Sequence, residues 1–278
     1  MHNVKKTFVV GDEWLYYKIY CGVKTADIVL LEVLKPLTTE LLQEKIIDKW
    51  FFIRYRDPNS HLRFRIKLLD ITNLGEVLIK IKKLLQPFLD NNQVWDIQLG
   101  TYQREVKRYG INTIEEAESF FYDDSKMIVT IIETSKDDET RFLTLFYWIE
   151  AIIKSFNFED KKKLSFLEKM QEQFKEEFRV DKTVRKELSN KYRTLETKLL
   201  NEKTFNFSDK YNLKDTMERF LMLNKESKLQ ITLDYLLASF IHMSINRCFR
   251  SKQRLFEMMI YDFLYRKNKS KFMRYGKL

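Results

Sequence analysis

Glycine and proline are scarce in this chain: 6 and 3 residues among 278. A protein made of tight turns, a disordered linker or a glycine-rich phosphate loop needs more of both. No G-x-G-x-x-G, Walker or G-x-S-x-G pattern occurs. Cysteine is scarcer still. Cys21 and Cys248 are far apart and lack a C-x-x-C neighbour. This argues against a disulfide framework and a structural zinc site, and points to a reducing cytosol. Only three histidines are present, one of them at position 2, which speaks against a His-based metal centre. The opening Met-His-Asn-Val-Lys-Lys-Thr-Phe lacks the long apolar segment of a signal peptide. The most apolar run, Phe142 to Ile153, is interrupted by Glu150 and is too short to span a bilayer. A cytoplasmic protein without a transmembrane segment is expected.

What the chain does have is apolar residues, aromatics and positive charge. Hydrophobic residues make up 44% and aromatics 14%, enough for a sizeable core. The formal net charge is +10, which favours an anionic partner. Acidic residues are interleaved with the basic ones almost throughout, which weakens the case for nucleic acid.

Residues 50 to 68 carry the clearest pattern. They read as a β-hairpin with Asp57-Pro58-Asn59-Ser60 as its turn. In the second strand His61, Arg63, Arg65 and Lys67 share one face, and Leu62, Phe64, Ile66 and Leu68 share the other. In the first strand Phe51, Ile53 and Tyr55 lie on one side and Arg54 and Arg56 on the other. The apolar face is core, so the opposite face carries a ladder of cations suited to a carboxylate or phosphate. The alternative is a solvated face whose long basic stems cover apolar surface.

Around the hairpin the first ~110 residues mix strands and helices. Leu15 to Gly22 reads as a strand. Thr25 is placed as cap of a helix over Ala26 to Leu34 ended by Pro36, and a second helix is expected from Thr39 to Asp48. Asn73 should cap a helix to about Leu85, with Pro87 marking its tail. Val94 to Glu105 reads as one long strand. From Asn112 the period becomes helical. Asn112 or Thr113 caps a first helix, with Glu115, Glu116 and Glu118 in its opening turns. Further helices are expected over Glu139 to Phe156, Leu164 to Phe178, Val184 to Leu200, Asp215 to Leu223, Gln230 to Phe249 and Gln253 to Tyr265. The Lys/Glu-rich stretch Glu159 to Lys203 reads as solvated helix faces.

Two more segments contain candidate site residues. Tyr102-Gln103-Arg104-Glu105-Val106-Lys107-Arg108-Tyr109-Gly110 follows a strand and could equally be a solvent-facing exit. Ser239 to Arg247 places His242 and Asn246 four apart, on one face of an apolar helix. His61 and His242 are then the candidates for proton transfer near neutral pH; the alternative for His242 is a hydrogen-bonded packing residue.

Three motifs, in order, carry a resemblance. They are Trp50-Phe51-Phe52-Ile53-Arg54-Tyr55-x-Asp57-Pro58-x-x-His61-Leu62-Arg63-x-Arg65, then Tyr102-x-Arg104-Glu105-x-x-Arg108-Tyr109-Gly110, then His242-x-x-x-Asn246-Arg247. Together they resemble the C-terminal glutamate-elimination domain of class I lanthipeptide dehydratases, a family that includes standalone thiopeptide-type bacteriocin biosynthesis proteins. The resemblance starts at Trp14-Leu15-Tyr16-Tyr17-Lys18-Ile19-Tyr20 and runs to the C-terminal helix.

The resemblance implies a lyase that removes glutamate from glutamylated Ser or Thr of a precursor peptide, leaving dehydroalanine or dehydrobutyrine. The chain would be the small half of a split dehydratase. Its partners would be the precursor peptide, with leader and glutamylated core, and a separate glutamylating subunit. A homodimer stays open, and no direct nucleic-acid contact is expected. Arg63, Arg65 and Arg104 would anchor and stabilise the glutamyl group, and His242 would transfer the proton. Arg54, His61, Arg108 and Asn246 would support substrate binding. No metal, nucleotide or flavin is implied. A ring-forming branch of the same family makes pyridine or piperidine by cycloaddition of two dehydroalanines, and typically departs from this arginine set. A third alternative is a non-catalytic basic module for an acidic leader peptide or RNA. The expected fold is α+β over one domain, 1–278, with a mixed or antiparallel sheet in 1–110 and a helical part in 111–278.

Overall fold

The computed structural model describes residues 4–200 and 213–275. Residues 1–3 and the end of the charged stretch, 201–203, lie outside it. The fold is α+β, with antiparallel sheets in the first part and helices after them. Strand β1 (Thr7–Phe8) precedes β2 (Trp14–Cys21). Helix α1 (Val23–Ile28) passes through a π-helical turn, Val29–Leu34, into α2 (Lys35–Gln43). The hairpin is β3 (Ile47–Arg56) and β4 (Ser60–Leu68), followed by α3 (Leu74–Asp90) and β5 (Val94–Gly100). Strand β6 (Tyr102–Gln103) leads to the single turn α4 (Val106–Tyr109). The helical part comprises α5 (Ile114–Thr134), α6 (Asp138–Ser155), α7 (Asp160–Glu177), α8 (Lys182–Leu200), α9 (Leu213–Lys225), α10 (Leu233–Cys248) and α11 (Gln253–Tyr275).

Several expected boundaries moved: the first helix is capped at Gly22 and not Thr25, the helix expected to Asp48 ends at Gln43, and the last helix runs past Tyr265 to Tyr275. Three others moved for a local reason. Pro36 does not end a helix. It sits in the opening turn of α2, just after the π turn, where its missing N–H is tolerated. Pro87 likewise lies inside α3, which continues to Asp90. The long strand expected over Val94 to Glu105 breaks at Thr101. Its first part joins the main sheet, and its second pairs with β1 in a separate two-stranded sheet. That break sends Arg104 away from the main sheet.

The main sheet has the order β3-β4-β2-β5, antiparallel throughout. Leu62, Phe64, Ile66, Ile19 and Phe52 are fully buried on its apolar face, against α1, α2 and α5. Strand β3 is an edge, whose free backbone groups need partners. Helices α5 and α10 supply them. Ser125 Oγ accepts from Phe52 N–H (3.3 Å), and Arg247 Nε donates to the Phe52 carbonyl (2.7 Å). Asn246 pairs with Arg54 through both backbone groups, each at 3.0 Å, as a neighbouring strand would. These bonds lock the C-terminal helices onto the hairpin.

Candidate active site

Strand register decides which cations share a face. Tyr55 is opposite His61, Ile53 opposite Arg63 and Phe51 opposite Arg65. On the other side of β4, Tyr20, Lys18 and Tyr16 are opposite the same three. Directly paired residues point the same way. The cationic face therefore carries His61, Arg63 and Arg65 together with Lys18 and aromatic rings. Arg54 pairs with Leu62, so it lies on the opposite, helix-covered face.

Arg65 is 7% exposed, yet has no ion pair and no hydrogen bond among the described residues, and its Nε is buried without a partner. Three rings surround the guanidinium instead: Tyr16 at 4.6 Å, Tyr102 at 4.9 Å and Phe51 at 5.2 Å. Burial pulls its pKa down. A desolvated cation held only by π faces is costly unless an anion completes it. Arg63 is also without a carboxylate among the described residues. It stacks on Tyr55 at 3.3 Å and donates through Nε to His61 Nε2 at 3.3 Å.

That last bond fixes the state of His61. Its Nδ1 faces the Asn59 carbonyl at 2.9 Å, so Nδ1 carries the proton and Nε2 is the acceptor. Burial, the largest cause, lowers its pKa. His61 is thus a neutral residue that orients Arg63.

Arg104 is brought to neither cation face nor cavity. Its Nε and Nη2 each donate to Glu118 at 2.7 Å, and Nη1 donates to the Lys5 carbonyl at 3.0 Å. Glu118 also accepts from the Tyr102 hydroxyl at 2.8 Å. Arg104 therefore reaches the Arg65 neighbourhood indirectly, through Glu118 and through the Phe8 ring, both of which contact Tyr102. Arg108 is on α4, partly exposed, 3.7 Å from Glu105.

His242 is 31% exposed on α10. Its Nδ1 lies 2.9 Å from Glu257 Oε2 on α11, and Nε2 makes no hydrogen bond among the described residues. A carboxylate only accepts, so Nδ1 is the protonated nitrogen and Nε2 offers a lone pair in the neutral ring. Glu257 is buried and also accepts from Arg254 Nη1 at 2.9 Å.

Two cavities adjoin these groups. The smaller, about 20 Å³, is lined by Arg65, Phe51, Tyr102, Glu105, Met243 and Arg247 among others. The larger, about 360 Å³, opens at the hairpin tip and takes in Arg54, His61 and Asn246. His242 lines neither. Its neighbour Met243 faces the first, and Asn246, one turn on, faces the second. Arg63, Arg104 and Arg108 line neither as well. Among the described residues no three His, Cys, Asp or Glu side chains gather to hold a metal ion, and no helix is long and apolar enough to cross a membrane.

Residues 14–267 match the family model described as lantibiotic biosynthesis dehydratase C-term. The chain belongs to this family. Among relatives of this lantibiotic dehydratase C-terminal chain, nisin biosynthesis protein NisB of Lactococcus lactis subsp. lactis is 26% identical over 258 residues, covering 88% of the chain and 24% of NisB. Epidermin biosynthesis protein EpiB of Staphylococcus epidermidis is 25% identical over 256 residues, covering 89% and 25%. The chain thus spans about a quarter of the length of these relatives. In fold it is similar to the tRNA-dependent lantibiotic dehydratase MibB from Microbispora sp. 107891, with TM-score 0.67 and 18% identity over 96% of the chain and 29% of MibB. It is also similar to the pyridine synthase TbtD from thiomuracin biosynthesis, with TM-score 0.61 and 12% identity over 93% of the chain and 100% of TbtD.

Sequence reasoning missed several groups that this dehydratase C-terminal fold brings to the site. Glu257 reaches His242 across a helix pair, with nothing in the local pattern to announce it. Arg247 lines the Arg65 cavity while anchoring β3 and pairing with Asp124 at 2.8 Å. Only its place in the His242-x-x-x-Asn246-Arg247 motif hinted at this.

Proposed function

We propose that this chain eliminates glutamate from glutamylated Ser or Thr residues of a precursor peptide, forming dehydroalanine or dehydrobutyrine. The buried, unpaired Arg65 beside a cavity carries this reading. It offers charge to a carboxylate in a desolvated place, where such a contact is strongest. Arg63, stacked on Tyr55 and oriented by neutral His61, adds a second guanidinium on the same face. Arg104 acts as a positioning residue: through Glu118 it holds Tyr102, whose ring packs on Arg65. Arg108 sits beside Glu105, which lines the cavity.

In the reaction a base removes the Cα proton of the esterified residue. The electron pair becomes the Cα–Cβ double bond, and the Cβ–O bond breaks. Glutamate departs with the ester oxygen as part of its new carboxylate. His242 suits the base because Glu257 keeps the proton on Nδ1 and leaves the Nε2 lone pair free. The arginines stabilise the developing negative charge on the enolate and leaving group. The partners in this reading are the modified precursor peptide and a separate glutamylating protein.

The likeness to TbtD over its whole length supports a second reading, ring formation from two dehydroalanines. One experiment separates the two. The protein is incubated with a peptide carrying a glutamyl ester on Ser, and separately with a bis-dehydroalanine peptide, and products are read by mass spectrometry. Elimination requires loss of glutamic acid from the first. An unchanged adduct with folded protein overturns it, and cyclisation of the second peptide establishes the alternative.

A further inference from the structure

The larger cavity, about 360 Å³ at the hairpin tip, is not used by the reaction above. Its cations come from two distant segments: Arg54 and Arg56 from β3, and Arg250 and Lys252 from the α10–α11 junction. Among the described residues no Asp or Glu lines it. Behind the wall, Asp27 is the counter-ion for Arg54, Arg141 and Arg250 at once. One carboxylate against three guanidiniums leaves two positive charges unbalanced among the described residues. Burial opposes the ionisation of Asp27, but these arginines overcome it and hold its pKa below the ordinary value.

Two further observations point to an anion as the ligand of this cavity. Arg54 is 7% exposed; its Nε donates to the Arg247 carbonyl and its Nη2 to Asp27, while Nη1 is buried without a partner among the described residues. The cavity also meets the N-terminus of α11. Leu255 and Phe256 bond back to the Lys252 carbonyl, but the amides of Gln253 and Arg254 find no acceptor among the described residues. A 23-residue helix presents partial positive charge there. The cavity lining also has an apolar part, with the buried Ala26 and Leu62 and the exposed Val23. Cations beside apolar side chains in one lining suit a carboxylate on a short aliphatic stem better than a sugar-phosphate chain.

We propose that this cavity is a carboxylate-binding site, separate from the Arg65 cavity, for an acidic group on a short aliphatic stem. The source is an acidic side chain of a bound peptide or a free dicarboxylate such as glutamate. The site stands independently of the elimination reading, because its test uses binding alone.

The test titrates the 278-residue chain with glutarate, with a short neutral-ended peptide containing one Glu, and with the same peptide containing Gln. Binding is read by calorimetry or by backbone NMR shifts at residues 250–254. Binding of the Glu peptide but not the Gln peptide supports the side-chain source; binding of glutarate alone supports the free dicarboxylate. The double variant Arg56→Gln/Lys252→Gln, at exposed positions, should weaken binding more than tenfold. Ala26→Met, which adds bulk to the cavity lining and keeps every charge, should weaken it as well. Arg65→Met should leave it unchanged. No saturable binding of either carboxylate, tighter binding of inorganic phosphate, or loss of binding only in Arg65→Met overturns the proposal.

Discussion

Glu257 holds the Nδ1 edge of His242 at 2.9 Å from the neighbouring helix. The pairing places the imidazole lone pair on Nε2, at the partly exposed side of the ring. His242→Asn should therefore lower the elimination rate by roughly 10²–10⁴-fold, the usual contribution of a positioned base. Glu257→Gln should cause a smaller loss, because an amide oxygen still accepts from Nδ1 but no longer stabilises the imidazolium. Both are read as accumulation of glutamylated peptide. A wild-type rate in His242→Asn would remove this residue from the mechanism.

Arg65 should separate function from stability. An unpaired buried charge is destabilising, so Arg65→Met should keep or raise the melting temperature. The same variant should lose elimination by about 10²-fold or more, as when one charge-stabilising group is removed. A sharp fall in melting temperature would indicate that the guanidinium is structural. Arg63→Lys should also impair elimination, because a point charge cannot reproduce a stacked, forked guanidinium.

Asp124 should behave in the opposite way. It accepts from Arg247, Ser244 and the Trp148 indole, all in the core. Asp124→Ala strands a fully buried guanidinium and should cost about 3–5 kcal/mol in denaturant unfolding. A cost under 1 kcal/mol would mean that Arg247 finds another partner.

Acid should weaken the fold through His61. Its folded pKa lies below the unfolded value of roughly 6.5. Between the two, the unfolded chain binds more protons, so stability rises with pH. The contribution is complete above the unfolded value and lost as pH falls through the folded one. Comparing denaturant midpoints between pH 7.5 and pH 5 in the wild type and His61→Gln checks this. An equal pH slope in both would show that other groups carry the effect.

The two thiols should be inert in the native state. Burial pushes Cys21 up to about 11 and Cys248 up to about 12. Both side chains are also almost fully enclosed. Alkylation at pH 8 should require denaturant; rapid native labelling would contradict this packing.

Much of the fold was legible because its signals are local. Alternation over residues 61 to 68 gave the strand and its two faces. Helical period, with Asp137 and Thr232 as observed caps, placed α6 and α10 within a few residues. Three misplaced boundaries involved a proline or a strand that changes sheets, where neighbouring elements overrule local preference; the helix start expected at Thr25 and the helix end expected at Tyr265 also moved, to Gly22 and Tyr275. The apolar stretch around His242 was readable as a helix, but its Glu257 partner was not.

Sequence by itself determined the ladder of cations, the apolar face behind it and the order of the helices, since these follow from repeats of two or 3.6 residues. Only the tertiary structure decided which arginines are neutralised. Arg104 finds Glu118, and Arg54 finds Asp27 and the backbone of α10, while Arg63 and Arg65 keep no carboxylate among the described residues. Those partners lie 14 to 193 positions away along the chain. Charge is written in the residue, but its compensation depends on what folding brings within a few ångströms of it.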